Sequence, residues 1–93
     1  MDNLYIDYEQ GLSLGSKIQG EAKDLKTLLS QIKEIQDKLE SLLTDENDKN
    51  YLESIAGQTK IMDKLAETIE ETGNFLVNVS TAYEEAASNN LGD

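Results

Sequence analysis

Carboxylates, hydroxyls and lysines are the only side chains in this sequence that could do chemistry. Its 93 residues include no histidine, cysteine or tryptophan. General acid–base catalysis by imidazole, Ser-His-Asp and Cys-His nucleophile systems, and thiolate or imidazole metal sites are therefore excluded. Di-iron bundles need Glu-x-x-His pairs and fall with them. The run Asp45-Glu46-Asn47-Asp48-Lys49-Asn50 has the oxygen ligands of a calcium loop. A lysine stands where a third ligand would fall, the central glycine is missing and no bidentate glutamate follows in register. Turn and cap chemistry accounts for the run instead. Glu70 and Glu71 are adjacent and diverge on a helix, whereas glycoside hydrolysis needs two carboxyls facing across a cleft. No glycine-rich loop followed by Lys-Ser/Thr is present, so no nucleotide site is indicated. The expectation is a protein with no catalytic residues, no cofactor-binding residues and no metal site.

The elements around these residues are clearer than the chemistry. Ile18, Leu25, Ile32 and Leu39 recur every seven residues, Ala22, Leu29, Gln36 and Leu43 form a second row, and Leu28, Ile35 and Leu42 a third. This alternation places the three rows on one face of a helix. After a polar break at Thr44–Asn50 the pattern resumes. Ile55, Met62, Ile69, Leu76 and Tyr83 make one row; Tyr51, Gln58, Leu65, Thr72, Val79 and Ala86 make another; Ile61, Phe75 and Ala82 widen it. No segment alternates with period two long enough for a strand. Proline is absent, as long helices require. The glycines at 11, 15, 20, 57 and 73 each oppose the helix by roughly 1 kcal/mol.

Boundaries follow from caps. Asp7 with Gln10 three residues later is a capping-box pattern, and Thr44, Asp45, Asn47 and Asp48 all suit an N-cap. The sequence predicts an all-α single domain: helix one over about 8–43, a turn at about 44–48, helix two over about 48–88 and a flexible tail at 89–93. The two helices fold back as an antiparallel hairpin. Stripes this wide exceed what one seam covers, so each helix is expected to meet more than one neighbour. The chain is expected to assemble into a four-helix bundle, with Leu25, Leu29, Ile32, Leu65, Ile69 and Leu76 as its interaction core. Gln36, Gln58 and Thr72 interrupt the rows, either as register-setting polar residues or at a partly wet seam. Tyr5 and Tyr8, with Leu4 and Ile6, form an arm that packs on the hairpin's end or contacts a partner.

Charge bounds the partners. The net charge is −11, from 19 acidic residues against 8 basic ones. Such a surface repels nucleic-acid backbones and anionic membranes. No basic residue follows Lys64, while Glu67, Glu70, Glu71, Glu84, Glu85 and Asp93 do. This acidic end is either a docking face for a basic partner or a solvated helix face. No run of about 20 apolar residues could cross a membrane, and no basic-then-apolar leader is seen, so no stable membrane insertion and no general-route export are expected.

The isoleucine-bearing arm Tyr5-Ile6-Asp7, the central break and the closing segment Asn74-Phe75-Leu76-Val77-Asn78-Val79-Ser80-Thr81-Ala82-Tyr83-Glu84-Glu85 together resemble the small helical hairpins of bacterial type VII secretion, the Trp-X-Gly (early secreted antigen-like) superfamily. The chain departs from that pattern at two points. It has no tryptophan, Tyr51 being the nearest bulky aromatic after the break, and Ala87 stands four positions after Tyr83, where the family's export signal has an acidic residue. The resemblance implies a non-enzymatic bacterial protein, cytoplasmic before export and then secreted by a type VII system, with Tyr83, Glu84 and Glu85 as its candidate secretion signal. Its implied partners are the secretion machinery and a second hairpin, in a homodimer or in a heterodimer with a related hairpin or an effector's N-terminal domain. In that role the chain is a secreted substrate, or a targeting partner or chaperone of a larger effector such as an LXG-type toxin. The other reading is a structural coiled-coil adaptor unrelated to secretion.

Overall fold

A computed structural model of the chain describes residues 7–92, with side chains described through Ser88. The arm at Leu4–Ile6 lies outside the described residues. Two helices make up the fold: α1 spans Tyr8–Leu42 and α2 spans Glu46–Gly92. They pack antiparallel along their length as a hairpin, 72 Å in its longest dimension.

Local chemistry sets the helix ends. The Asp7 carboxylate accepts from the backbone N–H groups of Glu9 (3.0 Å) and Gln10 (3.3 Å), satisfying donors that a helix start leaves open. At the turn, Leu43 turns to an extended conformation while its N–H still donates to the Leu39 carbonyl. Asp45 then caps α2: its side chain accepts from Asn47 N–H at 2.8 Å, and its carbonyl from Lys49 N–H at 3.0 Å. Glu9 in the first turn of α1, and Glu46 and Asp48 in that of α2, lie where the helix dipole favours negative charge. The second helix thus begins two residues earlier than expected at 48, because Asp45 takes the cap. It also continues through Gly92 rather than ending at about 88. Asparagine and serine cost only a few tenths of a kcal/mol per helical position, so the polar tail weakens the helix without breaking it.

Small residues hold the two helices together. Along α1 the buried positions are Gly11, Gly15, Ala22 and Leu29. Along α2 they are Thr59, Ala66, Gly73 and Ser80, one every seven residues. This α2 row is none of the three apolar rows read from the sequence. The helices approach so closely at Gly15 and Gly73 that a Cβ on Gly15 would lie 2.7 Å from Val77 Cγ2 and 3.1 Å from the Gly73 carbonyl oxygen. A Cβ on Gly73 would lie 3.0 Å from the Gly15 carbonyl oxygen. These two glycines trade helix propensity for backbone contact. Gly20 and Gly57 have nothing within 4 Å and make no such trade.

Candidate interaction face

The close seam divides the hairpin into two unlike sides. Stepping seven residues along each helix from the Gly15–Gly73 pair puts Ala22 level with Ala66, and Leu29 with Thr59. On one side of this line the residues are polar and pair between helices. Gln19 Nε2 donates to Asn74 Oδ1 (2.8 Å), Lys26 Nζ meets Glu70 Oε1 (2.8 Å) and Lys33 Nζ meets Asp63 Oδ2 (2.7 Å). Both ion pairs are largely open to water, where such pairs are worth little. Nearer the turn, Gln36 Nε2 donates to the Thr59 hydroxyl at 3.0 Å, and that hydroxyl donates to the Ile55 carbonyl of its own helix. Gln36 is thus the interrupting polar residue that reaches across the hairpin. Gln58 is exposed, and the Thr72 hydroxyl donates to Thr68 O.

The other side is apolar. In α1 it comprises the row Ile18, Leu25, Ile32 and Leu39, then outside it the row Leu14, Glu21, Leu28, Ile35 and Leu42. In α2 it comprises Ile55, Met62, Ile69, Leu76 and Tyr83, then Tyr51, Gln58, Leu65, Thr72, Val79 and Ala86. Most of the inner rows are half-buried against the other helix, with Leu39, Met62 and Tyr83 more exposed, and the outer rows, Val79 aside, stand in solvent. Leu28 is 52% exposed, Ile35 56% and Tyr51 69%. Of the 19 acidic and 8 basic residues, Glu21 alone falls within these four rows. A nearly charge-free face therefore runs the length of the hairpin. Soluble monomers rarely leave large contiguous apolar surface uncovered.

The expected interaction core is distributed unevenly over this arrangement. Leu29 is buried at 2% exposure inside the hairpin. Leu25, Ile32, Ile69 and Leu76 are half-buried on the apolar face, and Leu65 is 48% exposed there. Five of the six thus share one face, while Leu29 serves the hairpin's own seam. Heptad rows of bulky apolar residues do not reveal the buried α2 row. Its signal was smallness at heptad spacing, Thr59-Ala66-Gly73-Ser80.

Tyr83, Glu84 and Glu85 are exposed near the C-terminal end of α2. By the same register α1's first helical residue, Tyr8, is level with Ser80, so α2 from Thr81 to Gly92 runs beyond the start of α1. Ser80 is fully buried, and its Oγ has no hydrogen-bond partner among the described residues.

Two open grooves lie elsewhere on the described surface. One open groove on the polar side is lined by Lys26, Ser30, Lys33, Asp63 and Glu67, and another near the turn by Gln36, Asp37, Glu40, Lys49, Leu52, Glu53 and Ala56. Both hold already paired or solvated charges. Asp45 is engaged as a cap, and no group of metal-ligating side chains occurs among the described residues. No helix among them is long and apolar enough to cross a membrane. No known family profile, curated protein or solved structure matches this chain.

Proposed function

We propose that the chain is a non-enzymatic, protein-binding hairpin of a type VII secretion system, acting as a secreted substrate or as the targeting partner of a larger effector. The observation that carries the binding part is the nearly charge-free apolar face, which is complementary to another amphipathic helical surface. A four-helix bundle, formed with a second copy, a related hairpin or an effector's helical N-terminal domain, would cover it. The secretion part rests on the resemblance of pattern and on the C-terminal end of α2, which carries Tyr83, Glu84 and Glu85 beyond the start of α1 with no basic residue after Lys64. A basic receptor surface could read that end without opening the hairpin.

The test is export from a bacterium with a working type VII system. Tyr83→Ala and, separately, deletion of Ser88–Asp93 should leave helicity intact and reduce export of the chain or of its bound effector. If both folded variants are exported normally, the secretion reading is wrong and a plain helical adaptor takes its place.

A further inference from the structure

We propose that the segment ahead of Asp7 straps the overhanging end of α2, with Leu4 and Ile6 seated on the small-residue row where α1 stops. The proposal rests on the register of the seam and depends neither on secretion nor on a second hairpin.

The α2 side of the seam does not end with α1. Its row Thr59-Ala66-Gly73-Ser80 reaches Ala87 at the next heptad step. By the register that sets Gly15 against Gly73, Ser80 is level with Tyr8, the first residue of α1. Ala87 lies about 10 Å further on, from the rise of about 1.5 Å per helical residue, and no residue of α1 stands at that level. Yet Ser80 is fully buried, with a hydroxyl that has no partner among the described residues, and Ala87 is half-buried. Ala82 and Ala86 lie on the same stretch of helix, off the row, and are exposed. The three share a residue type and a helix; what sets Ala87 apart is its place on the row. The burial of the seam thus carries on past the last residue of α1 that could provide it.

The chain ahead of Asp7 has the reach and the pattern to cover that row. Asp7 caps α1 with φ −69° and ψ 104°, so the backbone enters the helix from an extended conformation at this end of the seam. An extended chain advances about 3.3 Å per residue and sets alternate residues on one side. Leu4 and Ile6 then share a side and stand about 6.6 Å apart, close to the roughly 6 Å that separates Tyr83 from Ala87 on one face of α2. Asp7 is level with Thr81 by the same register. Counting back from it, Ile6 comes to the level of Tyr83 and Leu4 to that of Ala87, while Tyr5 falls on the outer side. Residues 1–6 reach about 20 Å when extended, against about 18 Å for the overhang from Thr81 to Gly92. Two aliphatic side chains and one small-residue row therefore meet at matching spacing and length.

Amide hydrogen exchange on the full chain tests the strap, in dilute solution where association does not protect the helix. Leu4→Asp with Ile6→Asp should speed exchange of the amides from Tyr83 to Ser88 by at least about 10-fold and leave those from Thr59 to Gly73 unchanged, because an unsupported helix end opens locally. Leu4→Ala with Ile6→Ala, which adds no charge, should speed the same amides by a smaller factor. Exchange at the helix end that is the same in the parent and in both variants overturns the proposal. So does an acceleration spread evenly over seam and helix end. Protection of the helix end that rises with chain concentration also overturns it, since the contact would then come from another copy. None of these readouts measures export, so the secretion proposal stands or falls separately.

Discussion

Alanine at four glycines puts the close seam to a quantitative test. Gly15 and Gly73 lie where the helices touch backbone to backbone; Gly20 and Gly57 lie in open space on the same two helices. All four gain helix propensity on substitution by alanine, roughly 0.5–1 kcal/mol each. Only the seam pair meets obstruction. At Gly15 the new methyl would sit 2.7 Å from Val77 Cγ2 and 3.1 Å from two backbone atoms, the Gly73 carbonyl oxygen and Val77 nitrogen. The valine methyl can rotate away, but the backbone atoms move only if the helices separate. Overpacking of that kind costs about 1–3 kcal/mol. The propensity gain offsets part of it, so Gly15→Ala should fall below the parent by about 0.5–2 kcal/mol, while Gly57→Ala rises. In a chain of this length 1 kcal/mol moves the melting midpoint by about 4–8 °C, so the two variants should melt apart by several degrees. Far-ultraviolet circular dichroism at one fixed chain concentration reads this, since association would also shift the midpoint. Gly15→Ala with Gly73→Ala should cost less than the two single changes together, because one separation of the helices relieves both clashes. If all four alanines stabilise alike, the helices do not meet at this seam and the division into two faces falls with it.

Other changes probe the remaining contacts. Leu29→Ala, in the seam, should cost about 2–5 kcal/mol in thermal or urea unfolding at any chain concentration. Leu65→Ala should cost little in a dilute, dissociated hairpin and more once the apolar face is covered, so its effect should grow with chain concentration. Gln36→Ala removes the hydrogen bond to Thr59 across the hairpin and should cost about 0.5–1.5 kcal/mol by the same melts. Joint replacement of Lys33 and Asp63 by methionine and asparagine should change stability by less than about 1 kcal/mol, and by less still in high salt. Ser80→Ala removes a buried hydroxyl without a partner among the described residues and should leave stability unchanged or raise it by about 1 kcal/mol.

The hairpin was legible because three independent signals agreed on it: heptad rows on both sides of a polar break, an aspartate ahead of the first helix, and a cluster of cap residues in the break. The start of α2 differs by two residues because four residues within 44–48 could serve as its cap, and composition does not say which one the backbone presents to the right N–H. The seam was harder to read for a deeper reason. Hydrophobic periodicity finds where burial is most favourable, and bulky rows such as Ile55-Met62-Ile69-Leu76 dominate it. A close antiparallel pair selects for the opposite quality. At Ala66, Gly73 and Ser80 the side chain is small so that the other backbone can come near, and at Gly73, a weak point of the helix by propensity, a Cβ would lie only 3.0 Å from the Gly15 carbonyl oxygen.

That division of labour links the fold to its use. Had the bulky rows formed the hairpin's own seam, the molecule would have covered its apolar surface internally and presented polar faces all round. Because glycine, alanine, serine and threonine make the seam, the leucines and isoleucines are displaced to one side, while the polar ladder Gln19–Asn74, Lys26–Glu70 and Lys33–Asp63 closes the other. The result is a thin two-helix slab, 72 × 21 × 13 Å, with one solvated face and one apolar face. A slab this thin cannot cover both sides of its own large side chains, so the seam holds the hairpin together and the outer rows are left for assembly. Substitutions on the outer rows, such as Leu65→Asp or Leu28→Asp, should therefore spare the helicity of a dilute hairpin and abolish its assembly. Substitutions in the seam, such as Leu29→Ala, should weaken both together. Measuring helicity and assembly on the same variants separates the two classes. If outer-row changes unfold the dilute chain as readily as seam changes do, the two faces do not have separate roles, and the apolar face is part of the fold rather than a site for a partner.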